Sequence, residues 1–181
     1  MFTFTPTWIE GLIIIEPQVF WDERGFFMET YNEKEFKKAW ITTTFVQDNH
    51  SKSKAGVLRG MHFQKTHPQA KLVRVVAGAV YDVAIDLRKG SPTYGKRYGI
   101  ELSAENKKQL FIPRGFAHWF LTLEDETELI YKCDEFYHPE DEGGILWNDE
   151  TLGIDWGEYY DIQDLIISEK DKKNPNFDEE Q

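Results

Sequence analysis

The chain has 181 residues, a formal net charge of −11, 40% hydrophobic residues and 15% aromatic residues. That aromatic share excludes a disordered chain, and the length favours one domain able to bury roughly 70% of its extended surface. The acidic balance excludes nucleic acid and anionic membranes as partners, since both need a basic surface, so an anionic small molecule requires a locally basic site.

The predicted elements are mostly short strands divided by Gly, Pro, Ser or Asn. In chain order they cover Leu12–Phe20, Phe26–Tyr31, Thr43–Gln47, Val57–Phe63, Leu72–Ala77, Val80–Leu87, Arg97–Leu102, Gln109–Ile112 and Thr127–Tyr131. Two stretches read as helix. Phe36 and Trp40 share a face in Glu33–Trp40, as do Ile162, Leu165 and Ile166 in Asp161–Ile167. Regular short strands suggest an all-β sandwich, jelly roll or barrel. Residues 1–171 read as a single domain and 172–181 as a polar tail. Cys133, the one cysteine, rules out an internal disulfide and points to a reducing cytoplasm. No basic segment followed by an apolar run opens the chain, and no apolar stretch is long enough to span a bilayer.

The densest segment is Gly56-Val57-Leu58-Arg59-Gly60-Met61-His62-Phe63-Gln64. As a strand it places Leu58, Gly60, His62 and Gln64 on one face, so His62 points into a barrel. A lone histidine there is ordinarily a core residue satisfied by a carbonyl. Asn49, Ser51, Arg59 and Gln64 crowd the same region, however, at a cost in a core unless they bind something. Arg59 has the opposite parity to His62; it turns inward at a bulge near Gly60 or reaches the pocket from a rim or a neighbouring chain. Ile112-Pro113-Arg114-Gly115-Phe116-Ala117-His118 is a turn followed by His118, either half-buried packing or a second imidazole in the barrel. Alternation groups Leu129, Tyr131 and Cys133; Tyr131 is barrel packing or a phenol that exchanges a proton. Ser168-Glu169-Lys170-Asp171 reads as a helical cap, or as a carboxylate that orients His62. Lys71 lies on the face of Val73 and Val75, and Asp82 on that of Val80 and Ala84. Isolated charges on such faces are expected to pair, Lys71 with Asp82 and with His118 nearby. Asp22-Glu23-Arg24-Gly25 is turn chemistry before Phe27 and Glu29.

Taken together and in order, these segments resemble the dTDP-4-dehydrorhamnose 3,5-epimerase family of deoxysugar biosynthesis. Asp22–Phe27, Gln47-Asp48-Asn49, Lys71–Val75, Asp82–Arg88, Ser91–Gly95, Tyr131-Lys132 and Trp147-Asn148-Asp149 carry the resemblance with those above, along nearly the whole chain. It implies a cupin-like jelly roll with short flanking helices, no cofactor, no metal, and a homodimer with shared N-terminal strands. The implied reaction inverts C3 and C5 of a dTDP-4-dehydro-6-deoxyglucose by proton abstraction beside the ketone. His62 would be the base, Asp171 its partner and Tyr131 the acid on the opposite sugar face. Lys71 would stabilise the enolate, with His118 and Asp82 in support. Arg24, Glu29, Gln47, Asn49 and Arg59 would hold the nucleotide, Phe27 and Tyr137 would lie near the base or sugar, and Glu142 and Lys170 match further binding positions. Trp119 departs from the family pattern, which has glycine there. An indole beside His118 is expected to narrow the pocket, which leaves open a relative that inverts one centre only or uses another 4-keto sugar.

The chemistry fits these residue types. A hydrogen beside a ketone is removable when the developing oxyanion is stabilised, and inversion needs a base on one face and an acid on the other. Two other classes fit less well. A metal-dependent cupin would use His62 and His118 as ligands, but the close His-x-His set with a downstream Glu is missing. A non-catalytic binding module has no need of both His62 and Tyr131.

Overall fold

A computed structural model describes residues 1–179. Its strands are β1 (Phe2–Pro6), β2 (Ile13–Pro17), β3 (Phe20–Asp22), β4 (Gly25–Phe27), β5 (Gln47–Ser53), β6 (Val57–Gln64), β7 (Lys71–Ala77), β8 (Ala79–Asp86), β9 (Arg97–Ser103), β10 (Gln109–Ile112), β11 (Phe116–Thr122), β12 (Thr127–Cys133), β13 (Glu142–Gly144) and β14 (Ile166–Ile167). One sheet runs β1-β2-β10-β7-β12-β5 and the other β13-β6-β11-β8-β9, with β14 added beside β6. The antiparallel pairs nest: β5 with β12, β6 with β11, β7 with β10 and β8 with β9. This nesting is the signature of a jelly roll, and the fold is the expected all-β, cupin-like one.

Three apolar clusters hold the layers. Between the sheets pack Val73, Val75, Val80, Ala84, Leu110, Phe120 and Leu129. Behind the second sheet, Trp119, Tyr81, Val83 and Leu121 pack on Leu152, Trp156 and Phe177 from the segment that follows the barrel. β8 and β11 are therefore buried along their whole length, because both of their faces are covered. Behind the first sheet, Phe36 of α1 (Glu33–Lys38) packs on Ile15, Leu72 and Phe111. Asn32 caps α1 by accepting from the Lys34 and Glu35 backbone amides.

Several elements differ from the sequence expectation. β5 was expected to end at Gln47 but begins there. Its sequence, Gln-Asp-Asn-His-Ser-Lys-Ser, has no apolar residue to mark a strand. α1 stops at Lys38, and Trp40 takes a positive φ of 66° with 90% exposure, off the face of Phe36. The second expected helix is one 3₁₀ turn, Ile162–Asp164, followed by β14, which runs parallel to β6. A short apolar run serves either element, and here a free strand edge claims it. The expected polar tail is anchored as far as Phe177. That ring is buried, its amide donates to Asp149 Oδ2, and the Leu146 amide donates to the Pro175 carbonyl. Tail residues 180 and 181 lie outside the described residues. Among the described residues no helix is long and apolar enough to cross a membrane.

Candidate active site

The central cavity, of about 540 Å³, opens between the sheets and is lined by Arg59, His62, Lys71, His118, Tyr131, Tyr137, Glu142, Lys170 and Asp171. Its size suits a small organic ligand. β6 and β11 supply one wall, with His62 opposite His118 in the register. β7 and β12 supply the other, with Tyr131 beside Val73 and Cys133 beside Lys71. Tyr131 and His62 therefore lie on different sheets of the sandwich.

The Arg59 question is resolved by a bulge. The register moves from His118↔His62 to Phe120↔Arg59, so β6 spends one residue more than β11. That extra residue restores Arg59 to the face of His62. Gly60 carries the irregularity at φ 113°, and a Cβ there would collide with the Trp119 ring and the His118 carbonyl. Arg59 Nε donates to Ser53 Oγ at 3.1 Å, which leaves the rest of the guanidinium at the cavity edge.

His62 Nε2 lies 2.8 Å from Asp171 Oδ1, across 109 positions of chain. Docking of β14 beside Val57 and Leu58 delivers Asp171, and the Asp171 amide donates to Ser168 Oγ at 3.1 Å. Ser168 thus satisfies the Asp171 amide, and the Asp171 carboxylate meets the imidazole. Burial pushes the Asp171 carboxyl up, but the bond from His62 and its charge outweigh that and hold it below the ordinary range. A carboxylate on Nε2 fixes the N–H there and leaves Nδ1 as the basic nitrogen. Nδ1 is 3.6 Å from Glu142 Oε1.

Glu142 also meets Lys170, in an ion pair, and the Tyr137 hydroxyl, which donates to Oε2 at 3.2 Å. Burial raises the Glu142 carboxyl; the Lys170 bond, the His62 charge and the Tyr137 bond together bring it below its usual value. On the opposite wall, burial pushes the Tyr131 phenol up to about 12, so it stays protonated and able to donate. Burial also pulls the Lys71 ammonium below its ordinary value, against the attraction of Cys133, Asp82 and Glu142.

Lys71 and Asp82 were expected to pair, and they do not. Asp82 is fully buried and holds His118, whose Nε2 lies 2.8 and 3.0 Å from its two oxygens. Asp82 and His118 share a face through the β8–β11 register, two positions apart, whereas Lys71 comes from the other sheet. Its ammonium has no ion-pair partner among the described residues and lines the cavity. Trp119 reverses a second expectation. Alternation along β11 sends His118 and Phe120 into the cavity and Trp119 into the cluster behind the sheet, 5.4 Å from Trp156. The indole therefore does not narrow the pocket.

Gln47 and Asn49 do not line the cavity themselves; they brace residues near it. Gln47 Oε1 accepts from the Tyr137 amide, its Nε2 donates to Asn49 Oδ1, and Asn49 Nδ2 donates to Cys133 Sγ. Arg24, Phe27 and Glu29 are not brought to the cavity. β3 and β4 pair only with each other; Arg24 folds back onto Asp22, Phe27 is 68% exposed, and Glu29 accepts from Asn32. Sequence reasoning missed Ser168 as the acceptor of the Asp171 amide and Gln64 as a brace. Buried Gln64 donates to the His67 and Phe136 carbonyls and accepts from the His138 amide. It thereby ties two loops at the mouth, and its only sequence signal was its parity with His62. Among the described residues no group of three or more His, Cys, Asp or Glu is arranged to hold a metal ion.

Residues 6–179 match the family model described as dTDP-4-dehydrorhamnose 3,5-epimerase. The chain belongs to this family. A dTDP-4-dehydrorhamnose 3,5-epimerase from Methanothermobacter thermautotrophicus is 56% identical over 171 residues, 94% of this chain and 92% of the relative. One from Shigella flexneri is 53% identical over 173 residues, 94% of this chain and 93% of the relative. The crystal structure of the Legionella pneumophila dTDP-6-deoxy-D-glucose-3,5-epimerase in complex with dTDP-4-keto-L-rhamnose is 45% identical and has a TM-score of 0.94, covering 98% of this chain and 94% of that one. Membership in the epimerase family makes the chain an isomerase.

Proposed function

We propose that the chain inverts carbons 3 and 5 of a dTDP-linked 4-keto-6-deoxyhexose. The observation that carries this reading is the placement of an oriented imidazole, His62 on Asp171, and a protonated phenol, Tyr131, on opposite sheets of one cavity. His62 Nδ1 takes the proton beside the ketone. Lys71, a cation without a carboxylate partner among the described residues, sits against the oxygen that becomes the enolate, and His118 held by Asp82 supports it. One such donor is typically worth about 10²–10³ in rate. Tyr131 returns a proton to the other face. The ketone already acidifies the neighbouring C–H, so the step is a proton transfer alone.

Arg59, with Gln47 and Asn49 on the neighbouring strand β5, binds the nucleotide diphosphate, and Tyr137, Glu142 and Lys170 close the sugar end. Arg24, Phe27 and Glu29 enter this scheme through a second copy of the chain. The β3–β4 hairpin exposes Phe20, Trp21, Phe26 and Phe27 by 51–68%. Such a patch suits burial against a partner, and a homodimer would deliver the hairpin to its neighbour's cavity.

The test is solvent exchange with a dTDP-4-keto-6-deoxyglucose in heavy water, followed by NMR. Deuterium is expected at both carbons. Label at one carbon only would replace the reading with a single-centre epimerase, and label at neither would end it for this substrate.

A further inference from the structure

Inverting two carbons with one base and one acid raises a question of proton balance. At the first carbon the C–H bond breaks, its electron pair becomes the enolate, and the proton forms an N–H bond at His62 Nδ1. Tyr131 then breaks its O–H bond and a C–H bond forms on the opposite face. The sugar is neutral again, but the protein holds an imidazolium and a phenolate. The second carbon needs an imidazole and a phenol, so the pair must be reset with the sugar in place.

We propose that Glu142 is the outlet: it takes the proton from His62 between the two inversions and passes it to solvent at the cavity rim. This inference rests on the two-carbon reading above. The geometry distinguishes Glu142 from the other carboxylate on His62. Asp171 is buried and sits 2.8 Å from Nε2, the nitrogen that keeps its hydrogen throughout, so it does not meet the transferred proton. Glu142 Oε1 lies 3.6 Å from Nδ1, the nitrogen that collects the proton. Its other oxygen meets two groups that reach water, Tyr137 at 51% exposure and Lys170 with 63% of its side chain exposed. The 3.6 Å gap is just longer than a hydrogen bond, and it is expected to close when the imidazole becomes a cation facing an anion.

In the reset the Nδ1–H bond breaks and an O–H bond forms at Glu142 Oε1. That bond then breaks toward a rim water, and a solvent proton re-forms the Tyr131 hydroxyl. One proton leaves, one enters, and no electrons change hands. The carboxylate is the weaker base, so it holds the proton only in passing. The attractions from Lys170, His62 and Tyr137 that keep Glu142 ionised keep it ready to accept.

The experiment is a single turnover in heavy water with enzyme in excess of the 4-keto sugar nucleotide, quenched over time and read by mass spectrometry and NMR at each carbon. Glu142→Gln keeps the shape and the amide can still bond to Tyr137, but it cannot carry the proton. The ratio of second to first inversion rate is expected to fall at least tenfold, and singly inverted sugar to accumulate. Formate or imidazole added as a small buffer is expected to restore the second step in the variant in proportion to its concentration, and to leave the parent chain unaffected. Equal slowing at both carbons without buffer rescue would overturn the relay and leave Glu142 a binding group. An unchanged ratio would overturn it too. Should Glu142→Gln fail to fold, Tyr137→Phe with the same readout and a smaller drop serves in its place; no drop there would overturn the route. If the parent chain labels only one carbon, no reset is needed and the relay falls with the two-carbon reading. If it labels neither, the reaction itself is wrong.

Discussion

The molecule contains two imidazole–carboxylate pairs that face each other in the register of β6 and β11 but occupy different surroundings. His62 on Asp171 has 38% of its side chain exposed, with the second ring nitrogen directed at the Glu142 wall. His118 on Asp82 has 7% exposed and rests on both oxygens of a fully buried carboxylate. Pairing is common to both, so pairing does not make a base. In the proposed reaction the more exposed imidazole, with its second nitrogen facing the cavity wall, acts as the base, and the His118 pair holds a shape and a charge distribution.

The contrast can be broken in order of expected effect. His62→Asn is expected to lower kcat by up to about 10⁴, the upper end of the contribution of a positioned base, with unfolding by urea little changed; retained turnover would remove it from the mechanism. Lys71→Met is expected to cost about 10²–10³ in kcat with the nucleotide still bound, as for removal of one oxyanion donor. The two carboxylates then separate by kind of damage. Asp82→Ala leaves a buried imidazole without its partner and should destabilise the fold by about 3 kcal/mol in urea titration. Asp171→Asn should leave stability nearly intact and lower kcat by about 10², near the low end for a base. If Asp82→Ala lost only activity and Asp171→Asn only stability, the assignment of the pairs would be reversed.

The smallest effect is on pH. Lys71 loses its proton below the ordinary lysine range because burial disfavours its charge. As pH rises through that value the enolate loses its counter-charge, so kcat falls. Tyr131, raised to about 12, is still protonated there and does not set this limb. In Lys71→Arg the alkaline limb should move to higher pH, and an unmoved limb would assign it elsewhere. The same tyrosine carries a linked stability. A phenol raised in the folded state costs nothing below its unfolded value near 10, and stability is lost as pH rises from about 10 to about 12.

Most of the barrel was legible because β6, β7, β8, β10 and β12 alternate or run apolar. β5 was not, because Asn49 and Ser51 on its inner face serve a polar cavity and leave no hydrophobic period. At the site, parity placed His62, Lys71, Tyr131 and Asp82 correctly. At Arg59 it left a bulge near Gly60 and a rim or neighbouring chain both open, and the register shows the bulge; Trp119 follows from alternation with His118, which puts it on the opposite face. What local reading could not supply is the cover on that side: the segment 145–177 packs over Trp119, a long-range fact that no local window contains. Partners across sheets were likewise beyond reach: Lys71 looked matched to Asp82 by sign, and distance along the fold decided for His118.

The docking of β14 has a consequence for refolding kinetics. The barrel strands find their partners largely through their own nested pairs, while the His62–Asp171 contact spans 109 positions and waits for two residues to dock on the β6 edge. Contacts of such separation form late. Regain of far-ultraviolet strand signal should therefore precede regain of turnover, and a partly folded chain with β14 undocked would hold a formed barrel whose histidine has no orienting carboxylate.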